Sequence, residues 1–168
     1  DAFNFTFSLF NRNSSNLIDW TRNSITEKWK TQNFSNVETR GFETSINYIF
    51  KFADFNQSFD MNYNFIDDSI KDSNVPFTRY SLNSLKHQYT TSLNTKFFSF
   101  LNQSISYRYV ERTKGASYNL VDAKVSAEIS KLTLSLNANN IFNVNYVEVG
   151  LIPMPKGNVM FGVAYKVY

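Results

Sequence analysis

The sequence predicts an all-β fold, an antiparallel transmembrane β-barrel of which about eight strands are present. Apolar and polar residues alternate with a period of two in segment after segment, which is typical of strands with two different faces. Short connections alternate with mostly long, polar ones, as in outer-membrane barrels. No apolar run reaches the length of about 18 residues that suggests a transmembrane helix. We treat residues 1–168 as a single unit.

The first four segments are each expected to form a strand because bulky apolar residues recur at every second position. AFNFTFSLF (2–10) has an uncharged polar face, whereas VETRGFETSINYIF (37–50) and QSFDMNYNF (57–65) add acidic residues to that face. HQYTTSLNTKF (87–97) is a weaker case, because two threonines share its apolar face. β-Branched and aromatic residues at this spacing favour strands over helices.

The last four segments continue the alternation. QSISYRYV (103–110) sets isoleucine and tyrosine against serine and arginine, and NLVDAKVSAEIS (119–130) and LTLSLNANN (132–140) set aliphatic residues against polar ones. VMFGVAYKVY (159–168) places five bulky apolar side chains on one side, which need either a protein core or lipid to cover them.

The connections are of two kinds. Tight turns are predicted at KFADFN, at FSFLN and at Lys131, and longer polar loops are predicted elsewhere, with Asp67 and Asp68 in one of them. A calcium site at these two aspartates is a weak alternative to solvated loop charge, because the remaining spacing of a calcium loop is missing. Alternation alone also fits a soluble β-barrel that binds a small apolar ligand, or a self-contained eight-stranded outer-membrane barrel of structural or adhesive type.

Composition excludes several classes of function. The chain has no cysteine, so disulfides, thiol catalysis and cysteine-based zinc sites are excluded. Its net charge of +3 is small and scattered, which argues against nucleic acid. His87 is the single histidine and no G-x-S-x-G motif occurs, so we expect no enzyme, and we expect no metal or cofactor.

Several stretches resemble TonB-dependent outer-membrane receptors. NLIDW (16–20), EKWKTQNF (27–34) and VETRGFE (37–43), with Gly41 and Glu43, are similar to a late barrel region where a long loop returns into a strand. RYSLNSLKHQ (79–88) resembles the segment before a descending strand. LTLSLNANNIFNVNYVEVGLIPMPKGNVMFGVAYKV (132–167) is similar to the family's ending, and its Gly162, Tyr165 and Val167 match the signal of the barrel assembly machinery. The chain departs from that pattern, because family members usually stop on an aromatic residue at the position of Val167, whereas this chain adds Tyr168.

The resemblance implies that the chain is the C-terminal portion of a plugged barrel of about 22 strands, with the N-terminal plug, its TonB box and the earlier strands absent. It implies a receptor in the outer membrane of a Gram-negative bacterium that imports a scarce nutrient: an iron chelate, cobalamin or a glycan. The implied partners are outer-membrane lipid, the plug domain and remaining barrel strands, the TonB energy complex reached through the plug, the barrel assembly machinery and a surface lipoprotein.

The same resemblance, joined to the alternation, assigns the two faces. Lumen-facing charged residues are expected at Glu43, Asp60, Lys96, Arg108, Asp122, Lys124, Glu128 and Lys166. Lipid-facing residues are expected at Phe3, Phe5, Phe7, Phe59, Tyr63, Tyr107, Tyr109, Val125, Leu134, Phe161, Val163 and Tyr165. Ligand-binding residues are unknown, with weak candidates at Trp20, Trp29, Arg40 and Arg79. The two tryptophans fit interface aromatics better than ligand contacts.

Overall fold

The structure, a computed structural model, describes residues 1–34, 36–52, 54–71, 76–78, 85–113, 115–148 and 152–167. Within these ranges the strands are β1 (Ala2–Ser14), β2 (Leu17–Arg22), β3 (Lys30–Phe34), β4 (Asn36–Phe52), β5 (Phe55–Lys71), β6 (Phe77–Thr78), β7 (Leu85–Phe98), β8 (Leu101–Arg112), β9 (Tyr118–Ile129), β10 (Leu132–Asn139) and β11 (Asn158–Tyr165). The described part of the chain contains no helix with the length and apolar character needed to span a bilayer.

Eight of these strands form one antiparallel sheet in the order β1-β4-β5-β7-β8-β9-β10-β11. They are the eight predicted segments, in chain order, so the predicted all-β antiparallel fold is confirmed. The last strand is shorter than predicted, because β11 ends at Tyr165 and Val167 lies beyond it. Tyr168 lies outside the described residues.

The register keeps one kind of side chain on each face of this sheet. One cross-strand row reads Phe3, Tyr48, Phe59, Leu93, Ile105, Ala123, Ala138 and Val159, and every member is apolar or aromatic. The adjacent row, on the opposite face, begins Asn4, Asn47, Asp60, Ser92, Ser106 and Asp122. Because directly opposed residues share a face, these rows define an apolar face and a polar face.

The two ends of the sheet differ in their connections. β4 and β5, β7 and β8, and β9 and β10 are joined by short turns at one end, the turn end. Asp54 (φ 65°) and Ser130 (φ 57°) adopt the left-handed conformation in two of these turns. The longer connections lie at the opposite end, the loop end, so the predicted asymmetry is confirmed.

The loop end also carries strands that the sequence did not predict. β2, β3 and β6 form a second, three-stranded sheet in the order β3-β2-β6. The prediction of Asp67 and Asp68 in a loop is wrong, because both lie in β5. Consecutive strand residues point to opposite faces, so these two carboxylates do not converge on one ion.

Burial is concentrated on one side of the large sheet. The apolar face remains open, with Phe3 at 63% and Phe161 at 69% exposure. The buried hydrophobic side chains are Val37, Val110, Tyr118 and Leu120, and the register places all of them on the polar face at the loop end. The described residues therefore provide no protein core for the apolar face.

Candidate functional site

The polar face carries a hydrogen-bonded network that crosses four strands. Asn47 Nδ2 donates to Asp60 Oδ1 at 2.7 Å, and Asn4 Nδ2 donates to Asn47 Oδ1 at 3.4 Å. On the other side of Asp60, Ser58 Oγ donates to Asp60 Oδ2 at 3.4 Å and accepts from Asn94 Nδ2 at 3.0 Å. Asp60 is therefore held by amide and hydroxyl donors rather than left free on the face.

Two polar clefts follow the same face from the loop end toward the turn end. One, of about 200 Å³, includes Asp60, Arg108 and Asp122 among its lining residues. The other, of about 460 Å³, includes Lys96 and Lys124 among serine and asparagine side chains. Both signs of charge thus occur on this face, separated mainly by small polar residues.

The structure places seven of the eight predicted lumen-facing charges on the side expected from the alternation. Seven of them lie in strands on the polar face: Glu43, Asp60, Lys96, Arg108, Asp122, Lys124 and Glu128. Lys166 follows the end of β11, and its backbone N–H donates to the Lys131 carbonyl oxygen at 2.9 Å.

The predicted lipid-facing residues share the opposite, apolar face. They are Phe3, Phe5, Phe7, Phe59, Tyr63, Tyr107, Tyr109, Val125, Leu134, Phe161, Val163 and Tyr165. Aromatic pairs connect neighbouring strands, with ring centroids 5.9 Å apart for Phe7 and Phe42 and 6.0 Å apart for Tyr89 and Tyr107.

The apolar face becomes polar near the loop end. Tyr63 Oη and His87 Nδ1 are 2.8 Å apart, and Tyr109 Oη donates to Glu111 Oε2 at 2.8 Å. His87 and Glu111 are directly opposed on β7 and β8. The single histidine therefore lies among aromatic and acidic side chains, at the boundary between apolar and polar parts of this face.

The weak ligand-binding candidates do not form one cluster in the described residues. Trp20 lies in β2 and is 41% exposed, whereas Trp29 precedes β3 and stacks on Arg22, whose Cζ is 4.4 Å from the indole centroid. Arg40 lies on β4 on the side of the apolar face, and its Nε donates to Glu38 Oε1 at 2.9 Å. Arg79 lies outside the described residues.

Sequence reasoning missed a cluster at the loop end of the polar face. Asn140 is buried, and its backbone N–H donates to Asp122 Oδ1 at 2.7 Å. Val144 and Tyr146 pack against the buried group of Val110, Tyr118 and Leu120. A signal was present, because Val110 and Leu120 are apolar residues at polar-face positions and so interrupt the alternation.

Comparisons with known proteins agree with this architecture. A family profile described as "TonB dependent receptor-like, beta-barrel" matches residues 1–141. The fold is similar to that of the FrpB iron transporter from Neisseria meningitidis (F3-3 variant), with TM-score 0.75, 16% identity and coverage of 97% of this chain and 28% of that one. It is also similar to the ferric-catecholate import receptor Fiu from E. coli K12, with TM-score 0.66, 17% identity and coverage of 98% and 25%.

The chain thus spans about a quarter of the length of these two solved structures. At this level of identity the likeness concerns the fold alone. No curated protein sequence matches the chain.

Proposed function

The chain belongs to the TonB-dependent receptor β-barrel family, and from this premise we propose that it forms part of the wall of a nutrient-importing receptor. Members of this family are outer-membrane receptors of Gram-negative bacteria. In the proposed arrangement the apolar face meets lipid and the polar face lines the lumen.

The observation that carries this proposal is the unbroken apolar row across all eight strands, opposite a polar row. On β4 the apolar side runs from Phe42 to Phe52, which is about 34 Å along a strand. A strand tilt of about 40° reduces this to a height of about 26 Å, close to the apolar band of an outer-membrane barrel. Beyond Phe42 this side carries the charged residues Arg40 and Glu38. In the proposed arrangement this end of β4 therefore lies outside the hydrocarbon layer.

The sheet edges support the presence of further strands. β1 and β11 are the two ends of the sheet, and no ladder joins them in the described part of the chain. Backbone groups in lipid have no water partner, so edge strands there must be paired. We propose that the remaining strands of the same receptor pair with β1 and β11. This argues against a self-contained eight-stranded barrel, and the exposed apolar face argues against a soluble one.

The composition of the polar face is consistent with a proposed contact with a plug domain. This face carries charges of both signs, and the Asn4–Asn47–Asp60 network contains both hydrogen-bond donors and acceptors. Such a surface suits a hydrogen-bonded protein partner better than it suits selection for solutes of one charge. We propose that the plug of the complete receptor lies against this face, and that the TonB energy complex acts on the receptor through the plug. Gly162, Tyr165 and Val167 are proposed as the assembly signal.

We propose an iron chelate as the first substrate class to test, ahead of cobalamin and glycans. The two structural neighbours are described as an iron transporter and a ferric-catecholate import receptor, which sets this order of testing. A surface lipoprotein is a further proposed partner.

The experiment deletes the gene for the complete receptor and measures growth on iron chelates, cobalamin and glycans, each as the limiting nutrient. Growth on one nutrient should be lost and should return with the intact gene, but only in cells that retain the TonB energy complex. Normal growth of the deletion strain on every nutrient, or uptake that persists without the energy complex, would contradict the proposal.

A further inference from the structure

We propose that the connection between β10 and β11 is a strap with a fixed base and a releasable tip, and that the contact of Glu148 with Tyr118 and Arg108 is its latch. The strap comprises residues 140–148 and 152–157 of the described chain and lies on the polar face at the loop end. This inference rests on the proposed receptor function, in which that place is the mouth of the lumen.

The base of the strap is tied by hydrogen bonds centred on the buried Asn140. Asn140 is 4% exposed; its Oδ1 accepts from the Val144 N–H at 2.8 Å and its Nδ2 donates to the Val144 carbonyl oxygen at 2.9 Å. Asp122 on β9 accepts the Asn140 backbone N–H, and Asn143 Oδ1 accepts the Gly157 N–H at 3.1 Å. Both legs are therefore joined to each other and to the sheet, and breaking the bonds of Asn140 would leave buried polar groups unpaired.

The middle of the strap is placed by apolar contact. Tyr146 packs on Tyr118, with ring centroids 4.6 Å apart, and Val144 joins the same cluster. Beneath them, Val110 and Leu120 are each only 3% exposed. Both are apolar side chains at positions on the polar face, so the strap covers apolar area that water would otherwise reach.

The tip is held by weaker contacts. Tyr118 Oη donates to Glu148 Oε1 at 3.1 Å, and Arg108 Nη1 lies 3.5 Å from the same oxygen. The side chains of Arg108 and Glu148 are 37% and 29% exposed. Ion pairs this accessible to water contribute little and are screened by salt. The latch is therefore much easier to break than the base.

The two legs of the tip, residues 146–148 and 152–154, are coupled. The Met154 N–H donates to the Tyr146 carbonyl oxygen at 3.0 Å, and Val147 and Pro153 form an antiparallel bridge. A cleft of about 400 Å³ separates part of this tip from the start of β9, with Tyr118, Tyr146 and Lys156 among its lining residues. Release of Glu148 would let both legs of the tip move together away from the start of β9, which would widen this cleft and open a path for water to Val110 and Leu120.

The test uses the complete receptor in whole cells with Val110→Cys as a reporter beneath the strap. This chain has no native cysteine, so the new thiol is its single site for a water-soluble maleimide. Glu148→Gln removes the charge of the latch, and Tyr118→Phe removes its hydroxyl donor. Glu128→Gln is the matched control, because it removes a glutamate from the polar face of the same strand as Tyr118 near the turn end.

Glu148→Gln and Tyr118→Phe should each raise the labelling rate of the reporter by about fivefold, the equivalent of about 1 kcal/mol, and Glu128→Gln should leave it unchanged. Equal rates in all four proteins would overturn the latch. A parent rate equal to that of a free thiol would overturn the strap itself. Growth of the parent on the transported nutrient is recorded in the same cells, so failure of the receptor function is seen as absent growth and failure of the strap as equal rates.

Discussion

At the scale of single residues, Gly41 shows how a missing side chain shapes the polar face. A Cβ built on Gly41 would lie 2.1 Å from the Phe65 carbonyl oxygen on β5 and 2.5 Å from Cζ of Phe10 on β1. The Phe10 ring therefore lies over the backbone of β4, which a glycine alone permits. This gives a physical reason for the glycine in VETRGFE, which sequence comparison could identify only as part of a resemblance.

Gly41→Ala should destabilise the complete receptor by about 1–3 kcal/mol, because the added methyl group meets backbone on one side and an aromatic ring on the other. The measurement is the urea concentration at which the folded barrel loses its heat-modifiable mobility on a gel. Ser45→Ala, on the same strand and the same face, is the control. Unfolding midpoints that coincide for the two variants would show that the close approach has no energetic cost.

At the scale of elements, Gln57 extends the ladder between β5 and β7 by one step. Backbone pairing of these strands stops at Ser58 and Asn94. Beyond it, Gln57 Nε2 donates to the Lys96 carbonyl oxygen at 2.9 Å and Gln57 Oε1 accepts the Lys96 N–H at 2.7 Å. The side-chain amide thus takes the place of a peptide group at the turn end, and Gln57 is 2% exposed as a result.

Gln57→Ala should leave both backbone groups of Lys96 without these partners and cost about 1–3 kcal/mol locally. Amide hydrogen exchange in the complete receptor should become about tenfold or more faster at Lys96. Gln103→Ala provides the comparison, because Gln103 lies on the neighbouring strand β8 and is exposed. Unchanged exchange at Lys96 would mean that the side-chain bonds do not protect this end of the sheet.

The strands differ in whether the sequence alone could predict them. The eight long strands could be predicted, because alternation is a local signal that a residue such as Phe59 shares with its neighbours at every second position. β2 was missed, because Leu17 and Ile18 are adjacent apolar residues with no clear period. Its pairing with β3 and β6 depends on contacts that are distant in sequence.

The candidate site follows the same division. Charges such as Asp60 and aromatic residues such as Tyr63 lie on opposite faces because they occupy even and odd positions of the same strand. The composition of each face could therefore be predicted. The strap could not be predicted, because it depends on Asn140 reaching Asp122 and on Glu148 reaching Tyr118, 30 residues away. The interruption of alternation at Val110 and Leu120 was its one local trace.

At the scale of the whole molecule, the proposed function depends on which medium each face of the sheet meets. The sheet presents a continuous apolar surface on one side and a hydrogen-bonded polar surface on the other. Adjacent residues of one strand should therefore meet opposite environments in the complete receptor. β10 offers the cleanest case, because Leu134 and Leu136 lie on the apolar face and Ser135 lies between them on the polar face.

The most direct measurement attaches a nitroxide spin label in turn at Leu134, Ser135 and Leu136 of the complete receptor in outer membranes, and compares relaxation by oxygen with relaxation by a water-soluble nickel chelate. Oxygen concentrates in lipid, so it should dominate at positions 134 and 136, whereas the label at position 135 should respond less to oxygen. The reverse pattern, or equal responses at all three positions, would contradict the assignment of the apolar face to lipid.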